Sequence, residues 1–171
     1  MKEIDVYKVL EGKNPKLARR VPRFVVDYLR RTIHEREVNE ILARFGDLEG
    51  IAFVRAALGY MNVRYHSVGM ERLNPEGRYV FASNHPFGGM DGLMLADEVA
   101  RYFGDVRVVV NDLLMYLGPL RGLFVPVNKH GRQDAGSVEA FNNAFASDVP
   151  IVTFPAGLCS RRRRGVVRDL E

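Results

Sequence analysis

The chain has one cysteine, Cys159, and no tryptophan among its 171 residues. A lone cysteine cannot close an internal disulfide, which excludes a small disulfide-stapled scaffold and agrees with a reducing compartment. No apolar run approaches the roughly 18 residues that a membrane span requires. The first residues, MKEIDVYKVLEGK, lack the apolar stretch of a secretory signal. A cytoplasmic protein is therefore expected. The phosphate-binding patterns GxxxxGK[ST] and GxGxxG are missing, and so is the GxSxG elbow of many serine hydrolases. Four scattered histidines and one cysteine make no zinc set of recognised spacing, so no metal is expected.

What is present suits one domain of ordinary size: 47% of residues are hydrophobic and 27% charged. The net charge of +4 is unevenly spread. Residues 1–36 hold ten Lys/Arg against five Asp/Glu, residues 37–160 ten against fourteen, and residues 161–171 five against two. Basic ends around a mildly acidic middle favour an anionic partner, or are simply solvated. Nucleic acid is not the expected partner, because the arginine run has no binding fold or interleaved aromatics around it.

The chain divides by pattern near residue 60. Before it, Val21, Phe24, Tyr28 and Leu29, then Val38, Ile41, Leu42 and Phe45, recur at helical steps. Pro22 predicts a helix start or kink, Gly46 a stop, and Ile51–Tyr60 a further helix. Residues 1–60 are thus read as a helical region. Beyond it, VRYHSVGMERL alternates loosely and is read as a strand. Then RYVFAS, DVRVVVN, LFVPVN and VPIVTFPAG read as strands, separated by a loop and helix within 88–104 and by helical stretches at 112–119 and 135–148. Val138, Phe141 and Phe145 are expected on the inner side of the last helix. This alternation predicts an α/β domain over residues 61–171, with a partly parallel sheet flanked by helices.

Three loops follow predicted strands, where open α/β sheets gather their reactive groups. In SNHPFGGMDG, His85 precedes Asp91 by six positions with Gly88 and Gly89 between. A neutral imidazole takes a proton from a hydroxyl near pH 7, and a carboxylate beside it fixes the tautomer. The same spacing also fits a helix-capping aspartate beside an incidental surface histidine. In VPVNKHGRQD, Lys129, His130 and Arg132 crowd one turn and suit an anion, or solvent. In FPAGLCSRRRRG, Gly157 permits a tight backbone ahead of four arginines, which bind phosphate and carboxylate in bidentate fashion. His34 is placed in the basic helix and His66 in the loose strand, both structural or exposed.

In order, SNHPFGGMD, FVPVNK and FPAGLCSR resemble the blocks of the glycerolipid acyltransferase family of the lysophosphatidate type, usually written NHxSxxD, FIDR and FPEGTRS. NHPFGGMDG is similar to the signature of a bacterial branch carrying the hemolysin label and akin to the O-acyltransferases of ornithine- and glycine-lipid synthesis. The resemblance implies that His85 is a general base on an acceptor hydroxyl and that Asp91 orients it. It implies roles in substrate binding for Asn84, Gly88, Gly89, Asn128, Lys129, Gly157, Ser160 and Arg161. The implied donor is an acyl-ACP or acyl-CoA thioester, with no other cofactor. The implied acceptor is a lyso-lipid, at an anionic membrane surface on the inner face of the cell membrane. The N-terminal helical region, with Arg19, Arg20, Arg23, Arg30 and Arg31 near Phe24, Val25 and Leu29, would then lie in the membrane interface, or pack on the sheet with a charged outer face. Three departures stand out. The first block is His-x5-Asp rather than His-x4-Asp, Ala156 replaces a glutamate and Cys159 an arginine. The last two changes point away from lysophosphatidate toward an acceptor such as a lyso-amino-acid lipid. A fourth block is expected after the third, so the α/β domain is read as truncated at its C-terminus. A non-catalytic lipid- or anion-binding module on the same fold is the alternative.

Overall fold

The computed structural model describes residues 3–128, 134–157, 161–163 and 166–168. Among them, α1 (Val6–Lys13), α2 (Pro15–Ala18), α3 (Arg23–Thr32), α4 (Glu35–Phe45) and α5 (Gly50–Tyr60) occupy the first third. Local chemistry sets their ends. The Asp5 carboxylate caps α1 by accepting from the Tyr7 and Lys8 N–H groups. Pro22 stands just before α3, where its missing N–H leaves no bond unmade. His34 has a left-handed backbone, φ 54°, and turns the chain from α3 into α4; it is not inside a helix. Gly46 ends α4 as its C-cap.

A parallel sheet follows. Its strands are β1 (Val80–Ala82), β2 (Arg107–Asn111), β3 (Phe124–Val127) and β4 (Ile151–Thr153), in the order β1-β4-β2-β3. Every ladder is parallel, with Ala82 opposite Thr153 and Val108 opposite both Val152 and Phe124. Helix α6 (Gly89–Phe103) joins β1 to β2, and α7 (Ala135–Ala146) precedes β4. Residues between β2 and β3 form two 3-10 turns, Asp112–Tyr116 and Gly118–Leu120, in place of the expected α-helix. Past the third block, β5 (Arg161–Arg163) and β6 (Val166–Arg168) form an antiparallel pair that the sequence did not signal.

Two further expectations are corrected. Residues 63–69 form no strand, and His66 is exposed there. The loose alternation reflects contacts of single side chains, Tyr65 inward to Asp97 and Ser67 to Glu98, not a ladder. Val138 is exposed on α7, whose buried residue is Ala144; Phe141 and Phe145 stack on each other, half-buried.

One core runs across residue 60. Ile41 and Leu42 of α4 and Phe53, Val54, Ala57 and Leu58 of α5 join Val99 of α6, Val106, Val108 and Val152. The clamp between α5 and α6 is polar. Asp97, 4% exposed, accepts from Arg55 Nε at 2.7 Å and from Arg101 at 3.0 Å, and from the Tyr65 hydroxyl. Burial opposes its ionisation, but these donors and the charges of Arg55 and Arg101 outweigh it and hold the carboxyl below its usual range. The Tyr65 hydroxyl is pushed up by burial and by that carboxylate.

Candidate active site

The site is built at the C-terminal ends of the strands, where parallel sheets open a crevice. β1 ends at Ala82, and the chain turns through Ser83–Gly88 into α6. Gly88 makes the turn with φ 65° and ψ −135°, a conformation that side chains with a Cβ avoid. Asp91 then lies in the first turn of α6, with its N–H bonded to the Gly88 carbonyl at 3.0 Å. Its carboxylate reaches back over that turn. Oδ2 accepts the Phe87 N–H at 2.7 Å and stands 3.2 Å from His85 Nδ1.

Histidine and aspartate therefore meet across five intervening residues, with the turn at Gly88. The N-cap is Gly88 and not Asp91, which from the first turn of α6 accepts the Phe87 N–H and faces the imidazole with the same oxygen. Their side chains are 19% and 11% exposed, so little water separates them. His85 Nδ1 is buried and lies at ion-pair distance, without an aligned hydrogen bond. Its ring is held from another side. Phe154, just past β4, packs over it with centroids 4.2 Å apart and planes 31° apart. The third block thus touches the first through its phenylalanine, a contact that sequence spacing did not reveal.

Behind His85 lies a cavity of about 570 Å³ between α4, α5, α6 and the sheet. Its volume falls within the roughly 300–1,000 Å³ of sites for small molecules. Its inner wall is apolar, with Phe53, Ala57, Ala96, Val108 and Leu123 prominent, and His85, Asn111 and Thr153 supply polar atoms at the strand ends. From Asn111 back to Val108 the wall extends roughly 10 Å along β2.

The remaining expected residues divide. Gly89 and Gly157, the latter at φ 60°, line the cavity. Asn84 is exposed beside His85, and Asn128 follows β3 at the same end of the sheet. Lys129, Ser160, His130, Arg132 and Cys159 lie outside the described residues, and Arg161 opens β5. Asn111, Thr153 and Phe154 were missed. Asn111 also accepts the Leu113 N–H, closing the turn after β2. A strand-end position alone was the available signal for all three.

An acyltransferase family model matches residues 8–171. A lyso-glycine lipid O-acyltransferase of Bacteroides thetaiotaomicron is 44% identical over 169 residues, covering 98% of this chain and 62% of that protein. Another of that name, from Phocaeicola vulgatus, is 41% identical over 169 residues, 98% of this chain and 61% of that protein. The chain spans about three fifths of the length of these relatives. No solved structure matches it. With nearly the whole sequence matched and a parallel sheet that brings the His85 and Phe154 blocks into contact, the chain belongs to the acyltransferase family.

Proposed function

We propose that the protein moves a fatty acyl chain from a thioester, of acyl carrier protein or coenzyme A, to the hydroxyl of a lyso-lipid. The observation that carries the reading is His85, 3.2 Å from Asp91, at the polar end of the apolar cavity. With Nδ1 turned to Asp91, the other ring nitrogen, Nε2, is the base. It takes the proton as the acceptor oxygen forms a bond to the thioester carbonyl carbon. The tetrahedral centre then expels sulfur, the C–S bond breaks, and the imidazolium returns the proton to the thiolate. Ester and thiol result, and Asp91 offsets the positive charge held on His85 between the two steps.

The acceptor class follows from the relatives' name and from Ala156, which replaces the family's glutamate with an uncharged wall of the cavity. A lipid built on glycine ends in a carboxylate. Lys129 and Arg161 would hold that group, with Asn84, Asn128 and Ser160 as hydrogen-bonding partners and the backbone at Gly88, Gly89 and Gly157 leaving room for it. The protein works at an anionic membrane surface, to which its basic N-terminal region adheres. Among the described residues no helix is long and apolar enough to cross a membrane, and a peripheral enzyme is the form this reading takes.

The test is His85→Ala in the full-length protein, assayed with radiolabelled acyl donor and a lyso-glycine lipid. Transfer is expected to fall at least a thousandfold while vesicle binding stays. Undiminished transfer would remove His85 from the chemistry, and wild-type protein that binds the lipid without transferring would favour a non-catalytic lipid-binding module.

A further inference from the structure

Pro86 lies between His85 and the turn that brings Asp91 back to it. Six positions separate the histidine from the aspartate. In a continuous helix that separation sets two side chains roughly 240° apart around the axis and about 9 Å apart along it, out of reach. The pair meets at 3.2 Å because α6 begins at Gly89 and His85 stays outside it. That boundary has to be held. Gly88 interrupts the helix at φ 65° and ψ −135°. Glycine permits such a conformation without enforcing it, since it is as free to take a helical one.

Proline enforces the boundary. Its ring locks its own φ near −65° and keeps the residue before it out of the helical region. At position 86 the restricted residue is His85. Asn84 and His85 belong to no helix or turn, and the chain bends at residues 86–88. A helix tolerates proline in its first position, so α6 could grow back to residue 86 but not to His85. Proline also lacks an N–H. The Phe87 N–H reaches Asp91 Oδ2 at 2.7 Å, the same oxygen that faces His85 Nδ1. An N–H at residue 86 would add a second backbone donor, one residue closer to the imidazole.

We propose that Pro86 is a positioning residue: it holds His85 extended and outside α6, and so keeps the imidazole against Asp91 and under the Phe154 ring. This rests on the acyl-transfer reading for the rate it affects, but its geometric part needs no turnover. The consequence is a fixed tautomer. With Nδ1 facing the carboxylate, neutral His85 carries its proton there and leaves Nε2 free as the base. A histidine without such a partner favours the opposite form, whose protonated Nε2 cannot take a proton.

The test compares full-length Pro86→Ala and Pro86→Gly with Pro75→Ala. Pro75 sits exposed in another turn, where the Gly77 N–H meets the Asn74 carbonyl at 2.8 Å. Each substitution frees the unfolded chain similarly, so melting temperatures should fall by a few degrees at most. A purely structural role would end there. Instead, kcat should fall roughly tenfold to a hundredfold in Pro86→Ala with KM little changed, and further in Pro86→Gly. Pro75→Ala should keep the wild-type rate. The second readout is the nitrogen spectrum of histidine-labelled protein at about pH 9, where an ordinary imidazole is neutral. His85 is assigned among the four histidines by His85→Gln. Wild type should show the Nδ1–H form, and both Pro86 variants a rising share of Nε2–H.

An unchanged tautomer in Pro86→Ala overturns the proposal whatever the rate does. So does an Nε2–H form in wild type, an undiminished kcat, an equal loss in Pro75→Ala, or a melting temperature lowered by more than about 10 °C. If the tautomer shifts as expected but wild type transfers no acyl group, the proposed activity fails alone. If wild type transfers and the tautomer does not depend on Pro86, the positioning role fails alone.

Discussion

Replacing Gly88 with alanine tests how the first block tolerates its extra residue. At φ 65° and ψ −135°, an L-residue pays about 1–3 kcal/mol of backbone strain. That energy has two outlets. If the turn holds, the fold carries the strain, and the melting temperature falls by roughly 2–12 °C for a protein of this size. If the turn relaxes, the 2.7 Å bond from Phe87 to Asp91 is lost, and with it the 3.2 Å approach to His85. A displacement of about 1 Å in such a pair costs roughly a hundredfold in rate. Gly89→Ala is the matched control for stability, since Gly89 opens α6 and a Cβ there meets nothing within 4 Å. It should be neutral or stabilise by up to about 1 kcal/mol. Thermal unfolding of both variants and the initial transfer rate of Gly88→Ala give the answer. A Gly88→Ala protein with wild-type melting temperature and turnover would refute the account of the turn.

Phe154→Leu should lower kcat roughly tenfold with KM little changed, because leucine still lines the cavity but cannot hold the imidazole plane as the stacked ring does. Phe154→Tyr should restore the rate, and equal loss in both would show that Phe154 acts through packing alone. Asp97→Asn should cost about 2 kcal/mol in urea unfolding, since three donors lose a charged acceptor. Asp97 is held below the usual carboxylate range, so its contribution is complete above about pH 4 and is lost as pH falls through the lowered value. Stability of wild type and Asp97→Asn should therefore converge in acid; a constant gap down to pH 2 would contradict this.

Much of the site was readable because its chemistry is written into contiguous blocks. His85, Gly88 and Asp91 sit within one turn, so their meeting depends on local backbone geometry. The four strands of the sheet were equally legible, since Val108 to Val110 is a β-branched run and Phe124 to Val127 is apolar throughout, as a buried parallel sheet requires. The connection after β2 was less so: Asp112–Tyr116 has helical residues, but Gly118 and Pro119 stop it before an α-helix can form. Residues 63–69 misled because alternating side chains can arise from isolated contacts, such as Tyr65 on Asp97, with no neighbouring strand.

By itself, the sequence determined a helical first third, an α/β remainder, and three strand-end loops with histidine, aspartate and arginine in family order. Only the tertiary structure decided what those loops touch. Strand order placed β4 beside β1, and that adjacency sets Phe154 over His85 although 69 positions separate them in the sequence. Packing of α4 and α5 on the sheet made the cavity, from residues that looked like ordinary core. It also decided which face of α3 points outward, so that Phe24 and Tyr28 meet solvent. Periodicity identifies a helix with an apolar face; which face is buried depends on partners distant along the chain.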